Sequence, residues 1–142
     1  MNIKMMKLHY DAILPTRKSE YSNRFDLYAL GTVPPDELYR LNESRGYSEY
    51  WVYPGEFVLV RTGIAVEPLE DMDAQVRSVI SSVTADKKVT LLNSLIALET
   101  SFFGELAIIL TNVGDEPICI REGDKIAQLV FPPVIINLEH AA

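Results

Sequence analysis

The chain has 142 residues, 48% of them hydrophobic and 23% charged, with a formal net charge of −7 at pH 7. That length suits a single domain spanning 1–142, whose core needs neither disulfides nor a structural metal, and the composition excludes disorder and fibrous repeats. The acidic balance repels phosphate backbones and argues against nucleic-acid binding.

Cys119 is the only cysteine, so neither an intrachain disulfide nor a zinc site of paired cysteines can form. His9 and His140 are too distant in sequence to suggest a metal cluster. The apolar runs Leu106 to Leu110 and Leu129 to Ile136 fall short of the roughly 18–20 residues of a membrane-spanning helix. Met1 to Lys7 lacks the apolar segment and cleavage site of a secretory signal. A cytoplasmic protein with no membrane partner is the expectation.

In chain order, short alternating apolar pieces punctuated by Gly, Pro and Asn predict an all-β barrel or sandwich. The expected strands are Lys7 to Leu14, Arg24 to Ala29, Phe57 to Arg61, Ile64 to Pro68, Asp73 to Ser78, Val89 to Asn93, Ile96 to Glu99, Gly104 to Asn112, Ile118 to Ile120 and Ile126 to Phe131. Turn residues separate them at Tyr53-Pro54-Gly55-Glu56, at Asn112 to Pro117 and at Arg121-Glu122-Gly123-Asp124. One stretch departs from the pattern. Pro34 to Gly46 carries prolines ahead of a first turn, acids near it and glycine after it, which predicts a short helical insertion. Tyr39, Tyr47, Tyr50, Trp51 and Tyr53 crowd around it, either covering one side of the barrel or offering a partner surface.

Four blocks, in order, resemble the trimeric dUTPase pattern. The first is Leu8 to Arg17 followed by Phe25-Asp26-Leu27-Tyr28-Ala29. The second comprises Tyr53-Pro54-Gly55-Glu56-Phe57 and Arg61-Thr62-Gly63-Ile64-Ala65. The third is Ile96-Ala97-Leu98-Glu99-Thr100-Ser101-Phe102-Phe103-Gly104-Glu105. The fourth and closest is Glu122-Gly123-Asp124-Lys125-Ile126-Ala127-Gln128-Leu129-Val130-Phe131. The resemblance implies a dUTPase-like jelly-roll barrel, and a homotrimer whose pockets draw residues from more than one subunit. It also implies hydrolysis of dUTP to dUMP and pyrophosphate, with Mg²⁺ held through the nucleotide triphosphate and no metal ligated by the protein. The apolar tail Pro132 to Leu138 would pair with a neighbouring subunit, since such an edge left open invites aggregation.

By position the resemblance makes Glu99 the base that activates water and Asp26 the support for a phosphate-binding arginine. Phe102 would pack on the deoxyribose, and Gln128 would make polar contacts to the nucleotide. Two alignments of the family's Pro-Arg-Ser-Gly motif stay open. One puts Ser78, Val79, Ile80 and Ser81 on it and loses the arginine. The other matches Arg77 and Ser78 directly, with a longer connection to Asn93, and makes all three nucleotide-binding candidates. Glu99 stands where the family has aspartate, and the extra methylene shifts the carboxylate by roughly 1 Å, which can cost about 10²-fold in rate. The sequence ends at Ala142, before the family's glycine-rich fifth motif, which implies weaker triphosphate binding. A catalytically silent trimer acting as a binding or structural module is the alternative. Related dCTP deaminases carry a glutamate where Ile109 stands, which argues against deamination.

Overall fold

A computed structural model describes residues 2–41, 43–67, 75–78, 89–98, 104–131 and 137–141, of which 2, 67, 75–78, 89–98, 137 and 139–141 are described by backbone alone. Twelve strands are β1 (Asn2–Lys7), β2 (Arg24–Tyr28), β3 (Gly31–Val33), β4 (Glu49–Val52), β5 (Phe57–Arg61), β6 (Ile64–Glu67), β7 (Gln75–Ser78), β8 (Val89–Leu98), β9 (Glu105–Asn112), β10 (Ile118–Arg121), β11 (Lys125–Val130) and β12 (Asn137–Ala141). They form sheets of order β12-β1-β6, β10-β4, β2-β11-β7 and β3-β5-β9-β8. Among the described residues every strand pairing is antiparallel except β1 with β12. Among the described residues no helix is long and apolar enough to cross a membrane.

One cluster of buried side chains, from Ile3 to Phe131, fills the space the sheets enclose. The run Leu106 to Leu110 reads as unbroken hydrophobicity because β9 is covered on both faces. Leu106, Ile108 and Leu110 enter this main core, whereas Ala107 packs with Val33 and Leu59 in a second cluster that Ile109 and Leu41 cover from outside. The Tyr53 to Glu56 turn places Pro54 at its second position and Gly55, at φ 84°, at its third, the pattern of a type II turn. It closes through the Glu56 amide donating to the Tyr53 carbonyl at 3.0 Å. Gly63 serves a close approach, since a Cβ there would lie 2.8 Å from that of Ala12.

Several expectations need correction. The first strand is Asn2–Lys7, not Lys7 to Leu14. Ile3 and Met5 are buried while Lys4 and Met6 are partly exposed, a period-two pattern, and residues 8–12 turn through the Ala12 amide donating to the His9 carbonyl at 3.0 Å. The pieces expected at Val89 to Asn93 and from Ile96 onward lie on one strand, β8, which is described to Leu98 and interrupted where Asn93 and Ser94 are extra between Leu92, opposite Ile109, and Leu95, opposite Ile108. The helical insertion is a 3₁₀ helix, shorter than expected, over Pro35–Arg40 with no buried residue. β3 and β4 were not foreseen. The tail Pro132 to Leu138 is described only at its end, where Asn137–Ala141 pairs in parallel with β1 of the same chain. Pro132 to Ile136 lies outside the described residues.

Two arginines tie the 3₁₀ segment and the loop after it to the sheets. Arg61, on β5, meets Glu105, on β9, through Nη2 at 2.6 Å and Nε at 2.9 Å, and its Nη1 donates to the carbonyls of Ser44 at 2.7 Å and Leu41 at 3.2 Å. Arg45 donates to both carboxylate oxygens of Glu122, at 2.7 and 2.9 Å, and to Asp11 at 3.2 Å. The Arg45 hydrogen bond holds the Glu122 carboxyl below its ordinary value, and the same bond raises Arg45.

These pairs generate two predictions. Glu105 is buried, so Arg61→Met leaves an uncompensated carboxylate and is expected to cost about 3–5 kcal/mol. Urea denaturation giving a loss under about 1 kcal/mol, the scale of an exposed pair, would contradict this. Glu122 is depressed, so its contribution is present above its ordinary 4.5 and lost as pH falls through the lower folded value. The thermal-stability deficit of Arg45→Met relative to wild type should therefore be full near neutrality and shrink in acid; a deficit independent of pH would contradict the linkage.

Candidate functional site

The outer face of the β2-β11-β7 sheet gathers the polar residues singled out in the first and fourth blocks. In β2, Phe25 and Leu27 are buried while Asp26 and Tyr28 alternate outward. In β11, Ile126, Ala127 and Leu129 are buried and Gln128 is half-buried. Asp26 stands opposite Gln128, and Gln128 stands opposite Arg77 on β7. Directly opposed residues of an antiparallel pair share a face, so the three positions form one row across three strands. Ser78 stands opposite Ala127, one step along.

The Asp26 carboxylate is held at both oxygens. Gln128 Nε2 donates to Oδ1 at 3.0 Å, and Lys125 Nζ lies 3.2 Å from Oδ2. Beside them Thr16 Oγ1 and Tyr28 Oη share a hydrogen bond of 2.6 Å, and Thr16 is bridged to Asp26 through the backbone. This is a structured polar patch whose hydrogen-bond donors can face an anion.

The third block is the connection between β8 and β9. Glu99 and Phe102 lie outside the described residues, but the ends of their segment are fixed, because Leu98 pairs with Glu105 and Glu105 is clamped by Arg61. Asn93 sits at the interruption of β8 and not in the row. The sequence reading singled out Asp26, Gln128 and Arg77 separately; the structure pairs Asp26 with Gln128 and puts Arg77 in register with them. The sequence reading missed Lys125, although the residue lies inside the fourth block, because strict alternation from Gln128 would turn position 125 inward.

Other candidates for chemistry recede. Among the described residues no group of three His, Cys, Asp or Glu side chains could hold a metal ion. Burial raises the Cys119 thiol above its ordinary value, which disfavours the thiolate a nucleophile needs. The aromatic group does not cover the barrel as a unit. Tyr50 packs against the core, whereas Tyr39, Tyr47, Trp51 and Tyr53 are exposed. Tyr50 and Trp51 belong to β4, whose pairing with β10 makes that stretch part of the barrel. A cleft of about 120 Å³ nearby is lined by Thr32, Glu37, Arg40 and Tyr47 among others, but Glu37 is already engaged by the Tyr47 hydroxyl at 3.0 Å.

Known proteins share both the sequence pattern and the fold of this chain. Residues 47–141 match the sequence profile of the dUTPase family. The chain is 38% identical over 143 residues to the deoxyuridine 5'-triphosphate nucleotidohydrolase of Heliobacterium modesticaldum, covering 98% of this chain and 84% of that protein. It is 33% identical over 135 residues to the protein of the same name from a Hydrogenobaculum species, covering 95% and 82%. Among solved structures, the dUTPase of Staphylococcus aureus phage phi11 superposes with a TM-score of 0.65 at 18% identity, over 93% of this chain and 90% of that one, which shows the jelly-roll fold. On the profile match and the identity to its relatives, the chain belongs to the dUTPase family.

Proposed function

We propose that the protein is a dUTP nucleotidohydrolase that releases dUMP and pyrophosphate. The observation that carries this reading is the row of Asp26, Gln128 and Arg77, which brings together the first block, the fourth and one of the two alignments of the Pro-Arg-Ser-Gly motif. The named activity of the relatives, at 38% and 33% identity, supports the same substrate. Little covalent chemistry is required of the protein in phosphoryl transfer, so its work is positioning and charge neutralisation. In this reading Arg77 and Ser78 bind phosphate oxygens and Gln128 orients the nucleotide from the position Asp26 gives it. Asn93 and Phe102 line the nucleotide, and Glu99 takes the proton of the attacking water. Mg²⁺ fits this donor set only as a passenger of the triphosphate, because Asp26 is already engaged by Lys125 and Gln128; bound there, it would neutralise phosphate charge.

The same proposal includes one domain over 1–142 forming a homotrimer in the cytoplasm. The single domain is supported by β1 and β12, from the two ends of the sequence, lying side by side in one sheet. Trimer formation is checked by light scattering, where a stable monomer at micromolar concentration would contradict it. A second reading, a non-catalytic binding module, draws on the exposure of Tyr39, Trp51 and Tyr53.

A pyrophosphate-release assay with dUTP and Mg²⁺ tests the activity. Glu99→Gln is expected to abolish release with folding intact, because the base must accept a proton within hydrogen-bonding reach of the water, while Glu99→Asp retains or raises it. Arg77→Ala should lower kcat/KM by roughly 10²-fold through loss of charge-assisted contacts to the phosphates. A silent wild type that also gives no calorimetric signal with dUTP would transfer the assignment to the binding module.

A further inference from the structure

We propose that Lys125 is a positioning residue of the nucleotide pocket, presented by a β-bulge so that it neutralises Asp26 and leaves the positive charge of Arg77 available to the phosphates. This rests on the nucleotide reading given above.

The local geometry is specific. Lys125 and Gln128 are three residues apart, and uninterrupted alternation would send them to opposite faces of β11. The register prevents that. Gln128 opposes Asp26 and Ala127 opposes Leu27, but Lys125 then opposes Tyr28, so Ile126 is an extra residue. Ile126 and Ala127 are both buried, and Lys125 emerges on the face that Asp26, Tyr28 and Gln128 share. Without the extra residue a lysine would point into a core of Phe25, Leu27 and Leu129. Bulges that re-aim one side chain are concentrated next to functional sites.

The charges then have an order. Asp26 has a cation in contact on one side, Lys125 at 3.2 Å, and a second cation, Arg77, in the same row beyond Gln128. Neighbouring strands lie about 4.8 Å apart, so Asp26 and Arg77 are separated by roughly 10 Å at the backbone, a span that two extending side chains can close. An uncompensated Asp26 would draw on Arg77 and repel a triphosphate. With Lys125 in place the row of Lys125, Asp26 and Arg77 carries a net charge of about +1, which suits an anionic ligand in a chain that is otherwise acidic. Lys125 is 40% exposed, and an ion pair that open contributes little to folding. Its value is therefore to the ligand, and its effect passes through Asp26.

The test is calorimetric titration of a non-hydrolysable imido analogue of dUTP, with Mg²⁺, into wild type, Lys125→Met, Lys125→Arg, Asp26→Asn and the double variant Asp26→Asn/Lys125→Met. Thermal denaturation serves as the control for folding. Lys125→Met should weaken binding by about 10-fold or more and Lys125→Arg by no more than about 3-fold, because the missing charge acts at short range in a partly screened site. In the Asp26→Asn background, removing Lys125 should change affinity by less than about 2-fold, since no anion is left to compensate. Equal affinity of wild type and Lys125→Met overturns the proposal. The same loss with and without Asp26 also overturns it, because Lys125 would then act on phosphate directly. Wild type that binds no analogue overturns the nucleotide reading itself, and this inference with it.

Discussion

The buried pair between Arg61 and Glu105 is the constraint on which the arrangement of this molecule turns. Glu105 opens β9 immediately after the connection carrying the third block, and its carboxylate takes two hydrogen bonds from Arg61 and a third from the Gly63 amide at 3.3 Å. Arg61 spends its remaining donors on the carbonyls of Leu41 and Ser44. One ion pair thus fixes the base of the β8-β9 connection, the tight Thr62-Gly63 passage into β6, and the end of the 3₁₀ segment. Such a pair contributes less net stability than its geometry suggests, because both charges leave water, yet losing one partner is costly. Its consequence is registration: loop 41–44 and the start of β9 cannot shift independently.

That registration explains how a surface segment without a core of its own stays in place. The 3₁₀ helix buries no residue, and short helices of that type have poor hydrogen-bond geometry. Leu41 lies over Val33, Leu59 and Ala107, Arg61 holds the carbonyls that follow the helix, and Arg45 reaches across to Glu122 in the fourth block. The insertion is therefore anchored from below by apolar contact and from its far end by charge. Of the exposed rings, Tyr39 stands on this anchored segment, whereas Trp51 belongs to β4 and Tyr53 to the turn that follows it.

Legibility in the sequence followed the range of the interactions concerned. Phe57–Arg61 emerged as a strand with its observed limits because alternation and turn residues are local signals. Asn2–Lys7 was overlooked because its short period-two pattern lies at the start of the chain, beside the stronger apolar run of the first block. β3 has three residues and β4 is rich in aromatics, so both declare themselves only through partners, β5 for one and β10 for the other. The interruption of β8 left a trace, since Asn93-Ser94 divides two apolar runs, but a break and a bulge look alike in one dimension. In the site, Asp26 and Gln128 were readable from motif order. Arg45, Arg61 and Lys125 were not, because each owes its role to a partner between 44 and 99 residues away.

The register across β11 also bears on which alignment of the Pro-Arg-Ser-Gly motif is physically preferable. In the alignment that loses the arginine Val79 stands in its place, and Val79 lies outside the described residues. The chain has an arginine at the position opposed to Gln128, with Ser78 next to it. Asp26 meets Gln128 from the other side. A hydrophobic residue at the row itself would leave two donors and one carboxylate with no cationic neighbour beyond Gln128. An arginine there completes a sequence of cation, anion, amide and cation across three strands. We propose on this register that the alignment retaining the arginine is the functional one, with Arg77 supplying the cation beside Gln128.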